Sequence, residues 1–98
     1  MFRSIEEIQW ANKDAGYHWF DKGSMEFFDS IVYPELIQHP EGAYFVTSEK
    51  FDPLTSRLFT VRFAWPTGEV STVSHFQGFA TKEEALDWAR EQNPQAPF

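Results

Sequence analysis

The stretch RLFTVRFAW, residues 57–65, alternates with the period of an extended strand. Phe59, Val61, Phe63 and Trp65 fall on one side of such a strand, and Thr60 and Arg62 on the other. Four large apolar side chains along one face need a second layer to cover them, so the chain must build a sheet with helices packed on it. Phe63→Ala is then expected to cost ~3 to 5 kcal/mol and Thr60→Ala far less.

The cover has to come from packing alone. The 98 residues include no cysteine, which excludes disulfides, thiolate nucleophiles and cysteine-ligated zinc or iron–sulfur sites. Rings take their place: 11 Phe, 4 Trp and 3 Tyr bury enough area for a small core to offset its chain entropy. The length suits one domain over residues 1–98. No apolar run approaches the ~20 residues that span a bilayer, and the opening MFRSIEEIQW lacks the apolar core of a signal peptide. A soluble, cytoplasmic protein without a membrane partner is expected.

Two capping boxes mark helix starts. Ser4 and Glu7 open a helix expected over Ile5–Ala15, stopped by Gly16, and Thr81 with Glu84 opens another whose apolar side is Ala85, Leu86, Trp88 and Ala89, ended by NPQAPF. A shorter helix is expected from Asp21 to near Ser30, with Asp21 as cap and Phe20 against Met25 as staple. Pro34, Pro40 and Gly42 argue against a regular element in IVYPELIQHPEG, which reads as a crossing loop pinned by Ile31, Tyr33 and Leu36, with one helical turn possible at Glu35–Gln38. Three strands are expected from AYFVTSE, RLFTVRFAW and EVSTVSHFQGF, with Pro53 in the first turn and WPTGE closing the second on a left-handed Gly68. The expected fold is α+β in the order α-α-β-β-β-α, a three-stranded antiparallel sheet packed against helices.

Little in the chain points to chemistry. His18, His39 and His75 lack metal-ligand spacing, and no sequence neighbour orients any of them as a general base. The five glycines are isolated, so no phosphate loop exists, and no G-x-S-x-G context surrounds a serine. Glu6, Glu7, Glu83, Glu84 and Asp87 sit in first turns of helices, where the dipole favours them. No catalytic residue, metal site or cofactor is therefore expected. A small hydrolase or metal-dependent enzyme using His18 with nearby acids stays open as an alternative, as does a single-stranded nucleic-acid module using the aromatic strands. The cluster GYHWF, residues 16–20, reads as a plug between helices and sheet.

Charge is the informative remainder. The net charge is -7, and residues 1–49 carry nine acids against Arg3, Lys13 and Lys22, whereas residues 50–98 are nearly balanced. Such a field repels nucleic acid and attracts basic surfaces. Glu6, Glu7, Asp14, Glu26 and Asp29 are the expected partner-binding acids.

The segments HWF-x-x-x-S-M-x-F-F (residues 18–28) and FVTSE (residues 45–49), within a likeness over nearly the whole chain, resemble a family of small uncharacterised proteins encoded by phages and prophages. The resemblance implies a non-enzymatic accessory protein in the cytoplasm of a bacterial host. It would bind and block a host protein with a basic surface, as anti-CRISPR proteins do, without contacting nucleic acid directly.

Overall fold

The computed structural model describes residues 2–27, 29–50 and 54–92. The elements are α1 (Ile5–Asp14), α2 (Lys22–Phe27), β1 (Ile31–Val32), β2 (Ile37–His39), β3 (Gly42–Glu49), β4 (Leu58–Ala64), β5 (Val70–Thr72) and α3 (Lys82–Gln92). The mixed helix and antiparallel-sheet architecture agrees with the α+β expectation. Strand number does not: five strands form one sheet among the described residues, ordered β1-β3-β4-β5 with β2 also on β3.

The two additional strands come from the segment read as a loop. Ile31 and Val32 pair with Ser48 and Thr47, and Ile37 to His39 pair with Tyr44 to Gly42. Between Val32 and Ile37 this edge advances five residues while β3 moves three, so the stretch around Pro34 bulges. A proline is tolerated there because an edge strand has one row of N–H groups that no neighbour needs. Opposite it, the expected third strand is cut short. β5 stops at Thr72, the Ser74 hydroxyl accepts from Val61 N, and a turn closed by Gly78 N on His75 O returns Phe79 to pair with Phe59.

The helix ends follow local chemistry. Ser4 Oγ accepts from Glu7 N and Thr81 Oγ1 from Glu84 N, as the capping boxes require, although the Glu7 carboxylate reaches Arg3 N rather than the cap residue. Asp21 Oδ1 accepts from Ser24 N at the start of α2. That helix is shorter than expected, because Asp29 takes a left-handed φ of 46° and Ser30 N closes back on Met25 O. Pro53, expected in the first turn, the NPQAPF tail, and Phe28 within the expected second helix lie outside the described residues.

Both sheet faces are covered. One carries Tyr44, Val46, Val61 and Phe63 against Ala85, Leu86 and Ala89 of α3, with Phe59 and Trp65 at the margin, so the aromatic face of β4 lies where its alternation placed it. On the other, Ile5 and Ile8 of α1 meet Phe45 and Ala64, with Trp19 and Phe20 packed alongside. Trp19 meets both Phe20 and Phe45 edge-on, so the last two rings of GYHWF plug this seam, whereas Gly16, Tyr17 and His18 of the same cluster lie exposed. Asn12 fastens this layer. Its amide donates to Gly68 O at 2.9 Å and its carbonyl accepts from Trp19 N at 3.1 Å. Gly68 has φ of 94°, and a Cβ there would lie 2.4 Å from Ala11 O, so both the turn and the approach of α1 require glycine.

Candidate functional site

The five expected partner-binding acids are all exposed, and the structure divides them. Glu7 and Asp14 are seven residues apart on α1, hence nearly in line on one side of the helix, and with Trp10 and Ala11 they border one shallow surface concavity. Trp10 is 65% exposed between them. The core side of α1 is formed by Ile5, Ile8 and Asn12, leaving Trp10 with the acids on the outer side. Glu6 lies beside Glu7 in the first turn. The other two acids already have cationic neighbours: Glu26 lies 3.8 Å from Lys22, and Asp29 bonds Arg57 at 2.7 Å. No hydrogen bond among the described residues joins the α1 acids to those near α2. Trp10 escaped the sequence reading, although its place three residues after Glu7 and four before Asp14 was the available signal.

His18 borders a different concavity with Gln9, Lys13, Tyr17 and Asp21. Asp21 is held below its ordinary carboxyl value chiefly by the backbone hydrogen bond from Ser24, which ties it to capping α2. Among the described residues, no group of three or more His, Asp or Glu side chains is gathered to hold a metal ion. No helix there is long and apolar enough to cross a membrane.

A buried, hydrogen-bonded polar constellation lies on the sheet face beyond α1, at positions the alternation assigned only to the other side of the strands. Glu49 and Arg62 are paired at 3.2 Å, with side chains 1% and 8% exposed. Thr47 Oγ1 donates to Glu49 Oε2 at 2.7 Å and Thr60 Oγ1 to Glu49 Oε1 at 2.8 Å. Arg62 Nε donates to Thr47 Oγ1, and Nη1 to Thr72 Oγ1. Burial pushes the Arg62 guanidinium below its ordinary value, while the charge of Glu49 and its hydrogen bond hold it up. Trp19 and Phe76 stack on the guanidinium at 5.1 and 5.5 Å. Gln77 ties the neighbouring turn in place, donating from N to Thr60 Oγ1 and from Nε2 to Glu49 O, with a left-handed φ of 56°.

A family model matches residues 4–90. The chain belongs to the DUF7447 family, a family of unknown function. The match takes in α1 and nearly all of α3, so the acidic helix, the plug and the buried ion pair all belong to the DUF7447 domain. No curated protein and no solved structure matches the chain.

Proposed function

We propose that this DUF7447 protein is a non-enzymatic binding module that docks the outer face of α1 on a basic surface of a partner protein. The observation that carries this reading is Trp10, exposed on a helix and flanked by Glu7 and Asp14. An indole face attracts an arginine or lysine cation, and carboxylates on either side bond the same cation and hold it in register. Tryptophan is also the residue type most enriched among interface positions that dominate affinity. Glu26 and Asp29 act at the rim, because Lys22 and Arg57 already offset part of their charge. The resemblance to phage-encoded proteins directs the search for the partner to a bacterial host, and the mode of action to occlusion of a basic, nucleic-acid-binding groove.

The test is capture from host lysate by the immobilised domain, compared with Trp10→Ala and with Asp14→Asn. Both positions are exposed, so the fold should survive either change. Wild type is expected to retain a specific protein that Trp10→Ala loses and that Asp14→Asn holds less well. Equal capture by all three would remove α1 from the interface.

A further inference from the structure

A cavity of about 210 Å³ adjoins the buried ion pair, lined by Trp19, Ser24, Met25, Ser30, Arg62 and Phe76. A guanidinium has five N–H groups. Arg62 places one each from Nε, Nη1 and Nη2 on Thr47, Thr72 and Glu49, so one N–H on each terminal nitrogen has no acceptor among the described residues. The Ser30 hydroxyl, on the same cavity, also has no hydrogen-bond partner there. Unused donors on a side chain more than nine-tenths buried are costly unless something accepts from them. The remaining walls are Ser24, which bonds Asp21, and three flat or soft groups: an indole, a phenyl ring and a thioether. Phe76, 46% exposed, stands at the rim, and the left-handed Gln77 beside it is the kind of backbone strain that persists where a loop must present a side chain.

The electrostatics select the ligand. Arg62 is already neutralised by Glu49, and the whole chain is strongly acidic, so the cavity offers donors without offering net positive charge. We infer that this cavity binds a small, flat, uncharged molecule whose carbonyl oxygen accepts from Arg62 and Ser30 while its apolar body lies between Trp19, Met25 and Phe76. The site is separate from the α1 face and does not depend on it.

Benzamide is a suitable probe, compared with benzoate and toluene, in NMR titrations of the full chain to about 20 mM, a range that reaches the weak affinities common for so small a ligand. Benzamide is expected to give saturable shifts of the Trp19 indole, the Arg62 Nε–H and the Ser30 and Phe76 amides. Ser30→Ala should weaken it about fivefold, the loss of one neutral hydrogen bond. Met25→Phe fills the cavity and should abolish the shifts. If that variant loses its dispersed spectrum, Ser30→Ala and the ligand series decide. Three results would each overturn the inference: no saturation with benzamide, toluene binding as tightly as benzamide, or benzoate binding as tightly as benzamide.

Discussion

Thr60 shows how a single residue can be placed on the correct face and still be misjudged. The alternation of β4 turns it away from Phe63, but the far face is covered, and Thr60 is fully buried between Glu49 and Gln77 N. Its replacement by alanine strands a buried carboxylate oxygen and a backbone donor, so the expected cost is ~1 to 3 kcal/mol. That is a larger loss than an uncovered face would give. Phe63→Ala, which empties a fully buried site, remains the costlier change at ~3 to 5 kcal/mol. Arg62→Met should cost ~3 to 5 kcal/mol, because it leaves Glu49 charged and unpaired in the interior. Most of that loss should return in the double variant Arg62→Met with Glu49→Leu, which removes both charges. Denaturant midpoints of the four variants measure this directly, and a double variant no more stable than Arg62→Met would show that the pair is not the unit of stability. None of the partners of Arg62 was legible locally. Glu49 is 13 residues away and Thr72 is 10, and their meeting depends on the registers of three strands.

Among the elements, those governed by nearby residues were the readable ones. The capping boxes, the stop at Gly16 and the Gly68 turn are short-range chemistry and stand where the sequence put them. β1 and β2 were not readable, because two- and three-residue strands beside prolines carry no period of their own and exist through pairing with β3. The bulge between them is fastened to α3 by Lys82 Nζ and Glu35 Oε2 at 2.6 Å. The hydrogen bond from Lys82 is the main cause holding Glu35 below its ordinary value of 4.5, and the same bond is the main cause holding Lys82 above 10.5. A carboxyl depressed by folding stabilises above its unfolded value and loses that contribution as pH falls through the lower folded one, whereas a raised amine loses its contribution as pH rises through the higher one. Lys82→Met should therefore lower stability most between these limits, and the gap from wild type should close both below pH 4.5 and above pH 10.5. The gap is small, since both side chains are partly exposed and screened by solvent. Urea midpoints of the two proteins across that range test it, and a gap that persists into acid would mean that Lys82 acts through its packing over Tyr33 instead.

At the scale of the whole molecule, the uneven charge gives the partner-binding proposal two separable levers. Residues 1–49 hold nearly all of the net negative charge, and α1 carries Glu6, Glu7 and Asp14 on exposed positions. Long-range attraction of this kind sets how fast partners meet, whereas a desolvated aromatic anchor sets how slowly they part. Replacing Glu6, Asp14 and Glu26 by their amides should thus slow association with a basic partner and leave the dissociation rate nearly unchanged. Trp10→Ala should do the reverse. Glu7 and Asp29 need separate controls, because Glu7 accepts from Arg3 N at the start of α1 and Asp29 closes α2 and bonds Arg57. Added salt should reproduce the effect of the amides on wild type, since the Debye length falls from about 10 Å at 0.1 M to about 3 Å at 1 M. The same salt should have little effect on the rate at which the Trp10 contact is lost. Association and dissociation rates measured at several ionic strengths separate the two contributions. An association rate indifferent to both the amides and the salt would mean that the acidity of the N-terminal half only keeps the domain soluble, and would move the search for an interface to the apolar positions Ile31 and Phe27, which stand exposed near α2.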